Sequence, residues 1–321
     1  MTNFDCFNGD ADGICALTQL RLADPKPAEL ITGVKRDIQL LKRVSAKPQS
    51  QVTVLDVSLD KNRDDLARIL AEGADVFYCD HHFSGEVPEH SNLSVNINTS
   101  ADVCTSLLIN KHLDGAYLDW AVTGTFGDNL KRSAGILAKP LGLNESKLSQ
   151  LENLGIYLNY NGYGSQLEDL YFHPAELFKK TVQHASAFGF INGDVVTFST
   201  LEDGYHNDMS LADNSKPTFQ NNDVCVYQLP SQAWARRVSG VFGNDLANQN
   251  PEKAHAVITE KPGGGFVVSV RAPLANKHGA DEVCRQFATG GGRAAAAGIN
   301  DLPIDQFDKF VSVFANFYKS V

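Results

Sequence analysis

At 321 residues the chain is long enough for two domains with cores of their own, and 43% hydrophobic with 21% charged content is ordinary for a soluble globular protein. The formal net charge of −10 argues against wrapping long nucleic acid through an overall field, because that binding needs lysine and arginine to neutralise phosphates. Six cysteines without a CxxC pair read as reduced, buried thiols, and the lack of a signal-like start or a spanning apolar run predicts a cytoplasmic protein with no membrane partner.

The apolar run at residues 4–7 predicts a first strand, and residues 14–22 carry apolar side chains at helical spacing. Between them lies Cys6-Phe7-Asn8-Gly9-Asp10-Ala11-Asp12-Gly13. Asp10 and Asp12, two apart on a turn, can converge on one cation while the glycines let the backbone come close; a hairpin turn or an N-cap aspartate fits the same residues. Strands are then expected at residues 29–34, 52–57, 76–79 and 93–97, with short helices at 38–44, 63–71 and 102–112, the last opened by Thr99 and Ser100. The second of these strands ends on Asp56, and the third runs directly into Asp80-His81-His82. This alternation predicts an α/β fold, a mostly parallel sheet covered by helices, in which groups at the carboxyl ends of strands share one site.

Residues 123–129, Thr-Gly-Thr-Phe-Gly-Asp-Asn, read as a glycine-bracketed turn that adds Asp128. Carboxylates from four places and two imidazoles suit a pair of borderline-hard divalent ions such as manganese, bridged by one carboxylate; a zinc site with thiolates fits worse. A helix is expected at 148–158 and a loop at 159–164, whose Tyr160 and Tyr163 suit base stacking or the cover of an interdomain edge. After a helix at 174–188, the polar stretch 201–220 marks the domain boundary.

Beyond it, a strand at 224–229 precedes a helix carrying Trp234, Arg236 and Arg237. Strands at 255–259 and 266–271 flank a glycine-rich turn, and a helix at 280–287 leads into Gly290-Gly291-Gly292-Arg293 and four alanines. The glycines allow backbone amides to approach an anion, and the alanines are expected to let a following helix pack closely. A smaller mixed-sheet α/β domain follows from this half.

The set Asn8-Gly9-Asp10-Ala11-Asp12-Gly13, Asp56, Asp80-His81-His82 and Gly124-Thr125-Phe126-Gly127-Asp128 resembles the DHH phosphoesterase family. That family includes single-strand-specific exonucleases, oligoribonucleases, cyclic-dinucleotide phosphodiesterases and manganese-dependent pyrophosphatases. The resemblance implies that Asp10, Asp12, Asp56, His81 and Asp128 hold two divalent ions, Mn2+ first and Mg2+ second, with Asp56 bridging and His82 facing the substrate phosphate. The catalytic set would be Asp56, His81, His82 and Asp128. Two positions depart from the pattern. Cys6 stands where some branches have a metal-binding histidine, and Asn8 where the exonucleases commonly have an aspartate, so ligation by either is left open.

Arg271 and the run Gly290, Gly291, Gly292 resemble the substrate-binding domain that follows in many members, with Arg293 in place of a histidine. Arginine there favours a terminal phosphate or a guanine edge. The expectation is a catalytic domain at 1–190, a boundary region at 191–221 and a substrate-binding domain at 222–321. The expected activity is metal-dependent hydrolysis of short linear oligonucleotides, linear dinucleotides first. The alternatives are a single-strand exonuclease, a cyclic-dinucleotide phosphodiesterase, a pyrophosphatase or a silent nucleotide-binding module. Short nucleotides are thus the expected partner, long nucleic acid is not, and a homodimer is compatible with this reading.

Overall fold

The computed structural model describes residues 2–319, which divide into two compact units after Tyr205. In the first unit, β1 (Asn3–Phe7), β2 (Glu29–Ile31), β3 (Gln51–Leu55), β4 (Asp75–Asp80) and β5 (Leu93–Ile97) pair in parallel in the order β2-β1-β3-β4-β5. Strand order reverses at β1, which opens a crevice at the carboxyl ends of β1 and β3. The central strands β1, β3 and β4 are buried over most of their length on both faces, while the edge strands β2 and β5 are only partly covered. Phe7, Leu55 and Cys79 pack with α1 (Ala11–Ala23) and its neighbours, while Cys6, Val54 and Tyr78 pack with Leu66, Ile69 and Leu70 of α2 (Arg63–Ala71).

Local signals misplaced several elements. The helix expected from residue 102 is α3 (Thr105–His112), with Cys104 at its N-cap and no side-chain cap; Thr99 and Ser100 lie outside it. The expected turn at 123–129 is instead the end of α4 (Leu118–Gly127), whose residues from Asp119 onward are all buried. A helix buried on every side has no amphipathic period to reveal it, and its small residues imitate a turn. Only Leu41–Arg43 of the expected helix at 38–44 is helical, as a single 3-10 turn, and the expected helix at 174–188 is two, Pro174–Thr181 and Ala187–Gly193.

Residues 201–213 belong to the helix Val195–Asp213, and the division between the two units falls within this helix. Gly204 in this helix sits where a Cβ would come within 2.5 Å of the Tyr171 ring, so it serves close packing.

The second unit is a mixed sheet of β6 (Pro217–Gln220), β7 (Val224–Leu229), β8 (Ala254–Glu260), β9 (Phe266–Arg271), β10 (Gly290–Arg293) and β11 (Ala296–Leu302) in the order β10-β11-β9-β8-β7-β6. Only β7 and β8 run parallel, joined through the helix Ala233–Gln249. Phe287, Phe310 and Phe314 fill the core on one face. No helix follows the glycine run: Gly290–Arg293 is a strand, turning through Ala294 and Ala295 into β11. Gly290 and Gly292 are needed because a Cβ at Gly290 would lie 1.7 Å from the Cys284 carbonyl oxygen, and Gly292 adopts φ +143°.

The architecture is therefore a mostly parallel α/β sheet covered by helices, followed by a smaller mixed-sheet α/β unit. All six cysteines are free and buried. Among the described residues no helix is long and apolar enough to cross a membrane.

Candidate metal centre

The chain leaves β1 with the Asn8 amide still bonded to Leu55 O at 3.2 Å, then turns into α1. Asp10 is the N-cap of that helix, its Oδ1 accepting from Gly13 N at 3.1 Å. Asp12, in the first turn, is buried, and its carboxylate accepts the Thr105 amide at 2.7 Å and the Ser106 amide at 2.6 Å. These are free amides at the opening of α3, a place where backbone charge favours an anion. Ser106 Oγ also donates to the Asp12 carbonyl at 2.9 Å, locking α1 to α3.

Asp56 follows β3 with φ +60°, a left-handed conformation that costs a non-glycine residue about 1–2 kcal/mol. Such strain is held where the surroundings fix it, commonly at functional sites. Its amide donates to Cys79 O at 3.1 Å, and its Oδ1 accepts from Thr105 Oγ1 at 3.2 Å.

His81, just past β4, brings Nε2 to 3.3 Å from Asp56 Oδ1 and to 3.8 Å from both Asp12 Oδ2 and Asp128 Oδ2. Asp128 arrives from the end of α4. There Asn129 takes φ +62° and donates its amide to Phe126 O at 2.9 Å, while Leu130 N donates to Thr125 O at 3.1 Å. This pair of bonds is a Schellman C-cap, which ends the helix and aims Asp128 inward. Close approach of α4 to α1 is what makes this reach, since a Cβ at Gly127 would sit 2.3 Å from that of Ala11. His82 Nδ1 lies 2.8 Å from Asp80 Oδ1 and 3.8 Å from Asp56 Oδ1, which leaves its Nε2 for another partner.

Burial, then repulsion from Asp12 and Asp10, pushes the Asp128 carboxyl up to about 8, and the same causes raise Asp56 well above the usual carboxylate range. For Asp10 burial acts upward but is outweighed by the Lys35 ammonium, with Nζ 2.6 Å from Oδ2, so its pKa falls. Burial would lower His82, yet its hydrogen bond to Asp80 wins and raises it. Carboxylates crowded until some must hold protons are what a divalent cation displaces those protons from.

Two trios place ligand atoms within 4.8 Å of one another: Asp12, His81 and Asp128, and Asp56, His81 and His82. Oxygen and imidazole donors without thiolate fit a borderline-hard divalent ion. Asp10 is in neither trio. His82 is the weaker member of the second, because its near nitrogen is already engaged by Asp80.

Cys6 is not at this centre. It packs with Val54 and Tyr78 on the other face of the sheet, where burial, helped by Asp5, pushes its thiol up. Asn8 is buried, donates through Nδ2 to Lys35 O at 3.4 Å, and keeps Oδ1 without a hydrogen-bond partner.

Sequence reasoning overlooked Lys35, Thr105 and Ser106. Lys35 follows the carboxyl end of β2 by four residues, so the strand-end rule could have found it; nothing in the local sequence marks the other two.

In the second unit Arg271 pairs across the sheet with Ala296, and Ala296 with Arg293, so both arginines share one row and one face. Arg271 is held by Asn244 Oδ1 at 2.6 Å, Ser269 Oγ at 3.0 Å and Gly240 O at 3.1 Å. Arg293 is exposed near the hairpin turn, and Gly290, Gly291 and Gly292 lie along the same edge strand.

No protein-family model matches the chain, and no curated protein matches it in sequence. Solved structures do match. The manganese-bound crystal structure of exonuclease RecJ superposes with a TM-score of 0.62 at 15% identity, covering 99% of this chain and 90% of that one. RecJ with Mn2+ from Thermus thermophilus gives 0.59 at 15% identity over 99% of this chain, which spans only 52% of that one. The pGpG-specific phosphodiesterase PggH from Vibrio cholerae gives 0.55 at 14% identity, covering 99% of this chain and 100% of that one. The fold is thus that of the DHH phosphoesterases whose motifs the sequence resembles.

Proposed function

We propose that this chain is a divalent-metal phosphodiesterase acting on single-stranded nucleic acid. The observation that carries this reading is the convergence of Asp12, Asp56 and Asp128 around His81, brought together from three strand ends and one helix end. Fold likeness to two RecJ structures described with manganese supports both the reaction class and Mn2+ as the first candidate ion, with Mg2+ second.

A divalent ion held by these donors supplies Lewis-acid polarisation of a phosphoryl oxygen and an activated water. The residues do the rest. Asp12 is fixed by two amides and Asp56 by its strained backbone and Thr105, so the ligands are preorganised before substrate arrives. His82, with Nδ1 anchored on Asp80, donates from Nε2 to the phosphate as negative charge builds on it. Phe83, next in sequence and 72% exposed, offers a base a stacking face, its carbonyl held by Ser58 Oγ at 2.8 Å. The first unit acts as the catalytic domain. The second acts as the substrate-binding domain, where Arg271, Arg293 and the glycines of β10 take a nucleotide phosphate or base.

A second reading, hydrolysis of linear dinucleotides, is favoured by the acidic net charge and by full coverage of a pGpG-specific phosphodiesterase. A product assay with Mn2+ across single-stranded DNA and RNA, linear and cyclic dinucleotides and pyrophosphate separates the readings. Mononucleotides released from single strands are the expected outcome. Turnover of pyrophosphate alone contradicts both.

A further inference from the structure

Residues 83–86, directly after His82, form a loop whose every carbonyl accepts a side-chain hydrogen bond. Phe83 O accepts from Ser58 Oγ at 2.8 Å, Ser84 O from Arg63 Nη2 at 2.7 Å, Gly85 O from Ser84 Oγ at 3.0 Å and Glu86 O from Arg63 Nη1 at 2.5 Å. Gly85 takes φ +62°, and a Cβ there would lie 2.7 Å from Arg63 Nη2, so glycine suits both the turn and the approach of the arginine. The backbone is fixed, yet the aromatic side chain it carries is left in water, with Phe83 72% exposed. One exposed apolar side chain by itself means little, but a second stands on the adjoining loop. Buried Asn62 donates through Nδ2 to Ile38 O at 2.7 Å and to Ser58 O at 2.9 Å. The backbone of half-exposed Ile38 is thus tied through Ser58 to that of Phe83. Both lie at the metal centre's edge, since His82, the neighbour of Phe83, has Nδ1 3.8 Å from Asp56 Oδ1.

We propose that Phe83, with Ile38 on the adjoining loop, is the base site of this centre, and that the enzyme requires a nucleobase on the nucleotide at the scissile phosphate. A sugar phosphate or a polyphosphate has nothing to stack there. Every nucleotide has a π-face, so this site recognises a base as such and not its identity. Holding the loop before substrate arrives removes an ordering cost that a mobile aromatic would bring to binding. Arg63 and Asn62 are positioning residues, acting through the carbonyls of Ser84, Glu86, Ser58 and Ile38. The proposal rests on the phosphodiesterase reading and deepens it by naming what the same site demands of its substrate.

The test uses the full chain with Mn2+ and a set of tetranucleotides, each abasic at one position, beside the intact strand. In the native protein one abasic position, next to the cleaved bond, is expected to lower kcat/KM roughly 5–100-fold, while exchanging the base there changes it little. Phe83→Ala should lose the same factor on the intact strand and nothing further on that abasic strand, and Phe83→Tyr should keep the native pattern. Arg63→Ala should raise KM for the intact strand and leave the abasic one unchanged. Native rates for F83A, losses that multiply when F83A meets the abasic strand, or an equal loss for R63A on both strands would overturn the proposal. A binding measurement needs no turnover: AMP should bind the native protein roughly 5–100-fold more tightly than ribose 5-phosphate, and F83A should bind the two alike. Equal affinities in the native protein overturn the base site. The two readings fail separately. A preference for AMP with no phosphodiester hydrolysed removes the activity and leaves the base site, while hydrolysis with no loss at any abasic position does the reverse.

Discussion

Asp12 accepts the backbone amide of Ser106 at 2.6 Å, a bond that joins the first turn of α1 to the first turn of α3 and fixes a buried carboxylate beside His81. With the Thr105 amide on its other oxygen, Asp12 has a structural role beside the ligand role proposed for it. Asp12→Asn turns one acceptor into a donor facing an N–H. It should abolish Mn2+-dependent turnover and also lower stability in chelator by about 1–3 kcal/mol. Calorimetry in chelator checks this, and an unchanged midpoint would show that the two amide bonds do not anchor the residue.

Asp56 combines a left-handed backbone with the shortest contact to His81 among the three converging carboxylates. Asparagine tolerates that conformation, whereas alanine is strained in it. Asp56→Asn should therefore fold with near-native stability and lose activity, and Asp56→Ala should lose activity and some stability as well. Near-normal turnover by either variant contradicts the placement of the metal.

The pH dependence follows from Asp128 and Asp56. Their folded-state pKa values lie above the ordinary carboxylate value, Asp128 at about 8, so between the unfolded value and the folded one the native state holds more protons. Stability of the metal-free protein from these groups is present at low pH and is lost as pH rises through about 8. A bound divalent ion displaces those protons, so Mn2+ should raise the melting temperature more at pH ~8 than at pH ~5.5. Melting curves with and without Mn2+ at both pH values test this, and an equal increment at each would contradict it.

Arg271 and Arg293 share a row but not a setting. Losing a charge-assisted contact to substrate is worth ~1.5–3 kcal/mol, or roughly one to two powers of ten in kcat/KM. Both R271A and R293A should lose that much with metal content intact. R271A should also melt earlier, because Asn244, Ser269 and Gly240 lose their donor; exposed Arg293 should leave the melting temperature alone. A lower melting temperature for R293A with unchanged kcat/KM would make it a structural residue.

The residues that converge on the candidate metal centre were legible because they sit in short motifs at predicted strand ends. Asp56, His81 and the Asp10–Asp12 pair follow strands whose apolar runs are unmistakable. Asp128 was found in spite of a wrong local reading: α4 is buried all round, and only Asn129 at the left-handed position after it hinted at a helix end. Thr105 and Ser106 were invisible because they act through backbone amides, whose positions depend on how α3 meets α1. The Lys35–Asp10 pair spans two loops whose meeting is set by β2 lying beside β1, and sequence spacing does not carry that information. In the second unit, the alanines after the glycine run pointed to a helix, while the demand for space against Cys284 selected a hairpin.

The most direct measurement of the central claim is hydrolysis of a short single-stranded oligonucleotide by the chelator-treated protein, with Mn2+ added back, beside His81→Ala. His81 is common to both groups of converging ligand atoms, so its loss removes a donor without touching the buried acids that hold the fold. The account predicts no turnover after chelation, recovery on adding Mn2+, and no recovery in H81A. Turnover that survives chelation, or that returns with Mn2+ in H81A as it does in the native protein, would contradict it.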